Sequence, residues 1–254
     1  MPNLNARAER AIPIAVLAGV TVLCWTWIAP MARDMYGTMS GPSAWMMTTS
    51  WDARHVALLL AMWTVMMVGM MLPSASPILL LYAGAMRRRT DEPAPMISVY
   101  AMAAGYVAVW AAFSAIATLL QRLLAARLLL SPMMEATSPT VTGGLLVVAG
   151  AYQLTPWKGA CLQSCRSPLA FIATRWRDGA AGAFRMGLEH GLYCLGCCWA
   201  LMLLLFAGGV MNLWAIAALT AVVLVEKFAP AGAHGARLLG ALLIAGGCWI
   251  AFRA

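Results

Sequence analysis

Residues 187 to 202 read GLEHGLYCLGCCWALM. They open an apolar run that continues to about residue 207, long enough to cross a bilayer, yet they carry a glutamate, a histidine and three cysteines. Ionisable groups in a span are costly and mark functional positions. This one stretch therefore predicts both a membrane helix and a place where that helix does chemistry.

The rest of the chain agrees with a membrane fold. Of 254 residues, 63% are hydrophobic and 10% charged, and the mean hydropathy is +0.80, outside the range of soluble globular domains. A hydrocarbon core of about 30 Å takes roughly 20 apolar residues per helix. The length then suffices for six or seven spans with short loops and leaves no room for a soluble domain. The expectation is an all-α, polytopic transmembrane bundle, a single integral membrane domain over residues 1–254. Spans are placed near 11–30, 55–72 with an extension past Pro73 to about 86, 97–120, 141–156, 187–207, 211–226 and 236–253. That makes seven, or six if the weak fourth is dropped. The first follows Arg7 and Arg10, is too long for a signal-peptide core and lacks a small-x-small cleavage site, so it reads as a retained anchor. A kink is expected at Pro73. RRRTDEPAP (87–95) reads as a loop, and QRLLAARLLLSPMMEATSP (121–139) as a continuation of the third helix or an interfacial segment.

The formal charge of +8 would point to nucleic acid in a soluble protein, but here the cations fall between spans. Twelve of the seventeen Lys and Arg lie on the side of the N-terminus. The positive-inside rule then predicts a cytoplasmic N-terminus in a bacterial inner membrane, with the lipid bilayer as partner and no nucleic acid.

His190, Cys194, Cys197 and Cys198 are offset by four, three and one residues, which groups them on one helical face within about 100°. The preceding KGACLQSCRSP (158–168) adds Cys161 and Cys165, which share a face if the segment is helical. Both groups start from the cytoplasmic side and can meet. Thiols with an imidazole suit Cu(I), Zn(II) or an iron–sulfur cluster. A zinc site would take paired ligands from each segment at about 2.3 Å. Cys24 and Cys248, each alone in an apolar helix, read as packing residues, and His55 and His234 as interfacial ones.

A second stretch, AMWTVMMVGMMLPSASP (61–77), repeats Met62, Met66 and Met70 at a spacing of four, with Met67 and Met71 alongside. Met31, Met35, Met39, Met46 and Met47 fall in or beside the outer loop before it. Thioethers bind Cu(I) without losing a proton, so a methionine path could lead to the inner thiols; flexible packing accounts for the same spacing. Glu226 and Lys227 are adjacent, cannot face each other, and need separate partners. Gly69, Gly84, Gly105, Gly143, Gly144, Gly150, Gly187 and Gly191 are expected where helices approach closely.

The segments MWTVMMVGMMLPS, KGACLQSCRSP, GLEHGLYCLGCCWALM and GGVMNLWAIAALTAVVLVEK resemble a bacterial family of predicted metal-binding integral membrane proteins, a domain of unknown function. Some of its members are labelled copper chaperones. The resemblance spans about residues 45 to 250 and implies a multi-span, metal-binding inner-membrane protein. The motif positions are Met66, Met70, Met71 and Pro73, then Lys158, Cys161 and Cys165. They continue with Gly187, Gly191, Cys194, Gly196, Cys197, Cys198, Trp199 and Met202, and end at Glu226 and Lys227.

The leading expectation is Cu(I) handling, with Zn(II) second, through Cys161, Cys165, Cys194 and Cys197 or Cys198, with His190 beside them. Met62, Met66 and Met70 would be transit ligands, and a metal-donor or acceptor protein the partner. Two alternatives stay open. One is a membrane thiol–disulfide oxidoreductase using Cys194 and Cys197, resolved by Cys161 or Cys165; the other is a structural subunit with inert cysteines. No nucleotide-binding loop, serine–histidine–acid spacing or H-E-x-x-H motif occurs, so nothing points to an ATP-driven pump.

Overall fold

The computed structural model describes residues 4–37, 51–89, 95–131, 133–230 and 232–253. Among these the chain is all-helical, its one extended pairing being an isolated bridge between Leu130 and Ala136. Five helical stretches are long and apolar enough to cross a membrane: Ala11–Met35, Ala53–Arg88, Met96–Ala126, Gly179–Gly208 and His234–Phe252. They belong in turn to α1 (Leu4–Met35), α2 (Ala53–Arg89), α3 (Pro95–Ala126), α7 (Gly179–Met202) with α8 (Leu204–Gly208), and α10 (Gly232–Phe252). The fourth and sixth expected spans are shorter. They are α4 (Pro139–Gln153), of 15 residues, and α9 (Leu213–Phe228), of 16. At about 1.5 Å per residue neither reaches the ~30 Å of a hydrocarbon core. Two short helices, α5 (Pro156–Arg166) and α6 (Pro168–Arg175), connect α4 to α7.

Local sequence sets these boundaries. Proline opens α3, α4, α5 and α6, where its missing N–H costs nothing. Ser138, Thr155 and Asn212 cap α4, α5 and α9 by accepting from backbone amides in the first turn. Helix α2 continues through both Pro73 and Pro77. Each proline leaves a carbonyl four residues earlier without its helical donor. Trp25 Nε1 donates to the Gly69 carbonyl at 3.2 Å, and Ser76 Oγ to that of Pro73 at 2.8 Å. Side chains thus replace the lost bonds, as an apolar environment requires.

Helices α2 and α7 form the centre, with half of their apolar windows buried; α1 and α10 are peripheral at 17%. Packing of α3 against α7 depends on Gly105, Gly187 and Gly191. A Cβ at Gly187 would run into the Met102 carbonyl and one at Gly105 into that of Phe184. The α4–α10 pair closes similarly, Gly143 facing Gly247 and Gly150 facing Gly240. Gly84 and Gly144 do not fit the expected role, since a Cβ at either meets nothing within 4 Å.

Three further expectations change. Arg87, Arg88 and Arg89 complete α2 and are not loop; the rest of the 87–95 segment up to Pro95 lies outside the described residues. Met31 and Met35 are buried in α1 rather than in a loop, while Met39, Met46 and Met47 lie outside the described residues. The third helix ends at Ala126, so the 121–139 segment is partly helix and partly an irregular return.

Candidate metal centre

The polar core is built where α2, α3, α5, α7 and α9 meet. Cys194, Cys197 and Cys198 are each at most 1% exposed, and His190 is 3% exposed, all on the inward face of α7. Helix α5 is helical across Cys161 and Cys165, as the spacing requires, and packs on α7. The Cys165 thiol lies near those of Cys194 and Cys197. Those two lie near each other and near Cys198, within about a turn of α7. Cys161 lies beside Gly196, where the absence of a side chain leaves room for its sulfur, and it is within electrostatic reach of Cys197. The segments paired from sequence therefore pack together.

The thiols do not yet converge on one point. Cys197 and Cys198 both turn back to the Cys194 carbonyl, at 3.1 and 3.0 Å. Among the described residues no three His, Cys, Asp or Glu groups are already arranged around a metal position. Rotating either thiol off that carbonyl is a side-chain movement that leaves α7 intact, since the carbonyl also serves the helix backbone.

Cys194 has the densest polar surroundings. Lys227 Nζ lies 2.9 Å from its sulfur and donates to Ser74 Oγ at 2.9 Å. Tyr106 Oη is 3.1 Å from the same sulfur and donates to the Met71 carbonyl at 3.0 Å. Sequence reasoning left Lys227 without a partner and did not single out Tyr106 or Ser74. A lysine at the end of an apolar helix is a clue, because an intramembrane cation needs a negative or strongly polar neighbour.

Glu226 faces the other way. It pairs with Lys158 at 2.6 Å and accepts from Gln153 Nε2 at 2.8 Å, with both ionic side chains at most 5% exposed. Lys158 also donates to the Cys197 carbonyl at 2.9 Å. The adjacent Glu226 and Lys227 thus have separate partners, as their spacing demands. Glu189 does not join the thiols; it accepts from Arg177 at 3.0 Å, with Arg175 and Arg185 each at 3.7 Å.

Met62, Met66, Met67, Met70 and Met71 are all fully buried in α2. Met71 reaches the thiols, its Sδ 4.0 Å from Cys198 Sγ. Met66 and Met62 lie five and nine residues earlier, hence about 7 and 13 Å farther along the helix. Cys24 packs against Gly69, within the core, and His55 is buried with its ring edge-on to Trp51.

The side chains gathered here are soft, thiols with a thioether and an imidazole, and two buried lysines adjoin them, Lys227 at the Cys194 sulfur and Lys158 at the Cys197 carbonyl. Such donors match Cu(I) better than hard cations. A family model, PpoB2, described as "Copper chaperone", matches residues 60–250. No curated protein and no solved structure matches the chain.

Proposed function

The chain belongs to the PpoB2 family of copper chaperones, and we propose that it carries Cu(I) on the thiols of Cys165, Cys194 and Cys197. Cys161, Cys198 and His190 are auxiliary donors in this reading, and Met62, Met66 and Met70 line the route by which copper arrives or leaves. The observation that carries the reading is the proximity of Cys165 on α5 to both Cys194 and Cys197 on α7. Two separate segments supply soft donors to one place, as a transferable copper site requires. Lys227 supports it further: two thiolates holding Cu(I) carry a net negative charge, and an ammonium 2.9 Å from Cys194 offsets it. Cu(I) is cargo here, exchanged with a donor or acceptor protein. Seven crossings of a bacterial inner membrane, in which the bilayer thins to meet the short α4 and α9, with the N-terminus cytoplasmic, complete the proposal and would put Cys165 at the cytoplasmic side.

The test is elemental analysis of protein purified anaerobically, with and without added Cu(I), across a cysteine-to-serine series. Stoichiometric copper that disappears in Cys194→Ser and Cys165→Ser but survives in Cys24→Ser and Cys248→Ser is expected. Absence of copper and zinc, with failure to acquire either under reducing conditions, refutes the reading.

The oxidoreductase alternative has one observation in its favour. An ammonium beside Cys194 is the kind of neighbour that activates a thiol for disulfide exchange. That reading predicts a mixed disulfide between Cys194 and a partner, trapped when Cys165 and Cys197 are both serine.

A further inference from the structure

A cavity of about 210 Å³ opens beside the thiols, lined by Ser74, Pro77, Ile78, Cys165, Arg166, Pro168, His190, Lys227 and Phe228. Three features set its chemistry. Its walls contain two cations, Arg166 and Lys227, and no carboxylate. Arg166 is held by carbonyls, donating to those of Glu226 at 2.7 Å and Pro230 at 3.1 Å, and among the described residues no acid pairs with it. His190 is only 3% exposed, and among the described residues its Nδ1 has no hydrogen-bond partner. A buried polar atom left unsatisfied is costly, and one lining a cavity is met by whatever fills the space. The volume is below the 300 Å³ or so at which pockets begin to take drug-sized ligands. A ligand here is small, anionic and able to accept or donate a hydrogen bond, and it lies against a cysteine.

We propose that this cavity receives a small anionic thiol that brings Cu(I) to Cys165. The inference rests on the copper reading above and adds the carrier's chemical class. The carrier's negative group is met by Arg166 and Lys227, a polar atom by His190 Nδ1, and its sulfur-bound copper is brought to the Cys165 sulfur. The transfer is a ligand exchange. A bond forms between Cys165 Sγ and copper, one bond between copper and a carrier sulfur breaks, and the proton leaving the Cys165 thiol is taken up by the departing carrier thiolate. Copper remains Cu(I), and no electron is gained or lost. Cys194 and Cys197, which lie near Cys165, then take over as ligands by the same exchange.

The experiment loads the full-length protein in detergent, anaerobically and at low ionic strength, from Cu(I) bound to mercaptoacetate or to 2-mercaptoethanol. These thiols are similar in size and differ in the carboxylate. Loading is quenched with a Cu(I)-specific chelator. The expected result is loading roughly tenfold faster from the anionic carrier, a difference that electrostatic steering into a cationic cleft supplies and salt removes. Arg166→Gln should shrink the ratio toward one. Ile78→Phe, which fills the cavity while keeping every thiol, should slow loading from both carriers without lowering the final copper content. Equal rates from the two thiols in the unaltered protein, or no slowing in a folded Ile78→Phe variant, would overturn the carrier inference while leaving copper binding in place. Faster loading from a copper-bearing protein that is indifferent to Ile78→Phe would overturn it as well. No uptake from any carrier would instead remove the copper reading itself.

Discussion

Glu226 and Lys227 are consecutive, both about 5% exposed, and they serve two unlike regions. On one side Glu226, Lys158 and Gln153 form a closed set in which a carboxylate has a cation at 2.6 Å and an amide donor at 2.8 Å. On the other, Lys227 rests on a serine hydroxyl and the sulfur of Cys194. The first set pairs a lysine with a carboxylate and fixes α5 to α9. The second sets a lysine against a soft, exchangeable sulfur. Buried charge in the first case is architecture, and in the second it is a place where a ligand can be exchanged.

The strongest way to break the comparison is to disturb the closed set. Removing one member of a buried pair strands the other charge, at about 3–5 kcal/mol. Lys158→Met or Glu226→Gln should therefore lower the yield of folded protein and its thermal midpoint in detergent more than any change at Lys227. The double variant Lys158→Met with Glu226→Met should recover much of the loss, because apolar replacement of a whole buried pair is often neutral. If Lys158→Met leaves the midpoint unchanged while abolishing copper binding, the two regions are not divided as described.

The open set should respond in binding before stability. Lys227→Met removes the charge that offsets a copper dithiolate, and groups supporting metal ligands are typically worth about 10–100-fold in affinity. Competition titration against a Cu(I) chelator should show that loss, with Lys227→Arg retaining most of the affinity. Ser74→Ala, which removes the second partner of the ammonium, should have a smaller effect in the same direction.

Proton competition sharpens the difference further. The neighbouring thiols of Cys194 and Cys197, reinforced by burial, hold the Cys165 thiol well above its ordinary value. Below that raised pKa Cys165 is protonated, so copper must displace a proton, and affinity gains about tenfold per pH unit for each proton released. The gain stops once pH passes the folded-state pKa. Cys165→Ser should reduce the slope of log affinity against pH by one proton. The same shift stabilises the apo fold fully below the unfolded thiol value of about 8.5, and that contribution is lost as pH rises through the folded pKa. Unfolding of the metal-free protein should accordingly become easier in alkali, and less steeply so in Cys165→Ser.

Much of this arrangement was legible in the sequence because helices impose fixed spacings. The offsets from His190 to Cys198 predicted a shared face, and all four residues are buried together on α7. That Cys161 and Cys165 would meet them followed from topology, since α5 leads into α7 across a short connection. The identity of contacts between distant helices was not legible. Tyr106 reaches Cys194 from 88 residues away and Ser74 reaches Lys227 from 153, and no local pattern encodes either. Span count was blurred for a related reason. Helices α4 and α9 are apolar enough to read as spans but only 15 and 16 residues long, and hydropathy does not say where an apolar helix stops. Glu189 looked like part of the cluster by proximity in sequence, but one residue before His190 is about 100° around the helix, and it faces three arginines instead.

The methionine row offers the smallest effect and the most direct test of packing against transit. Met62, Met66 and Met70 are fully buried, so leucine at each conserves volume and apolar character while removing sulfur. Such exchanges usually cost under about 1.5 kcal/mol apiece, and the triple variant should fold with equilibrium copper content unchanged, because every proposed thiol ligand is kept. If the row only packs, rates of loading and release are also unchanged. If it conducts copper, a gap of about 13 Å opens between the thiols and the far end of the row, and exchange with the side opposite Cys165 slows several-fold. Measuring vectorial exchange in proteoliposomes, with copper on one side and chelator on the other, decides between them. Met71 should behave differently from the other three. With its sulfur 4.0 Å from Cys198, Met71→Leu should alter exchange even where the triple variant does not, which would confine copper to the thiol end of α2.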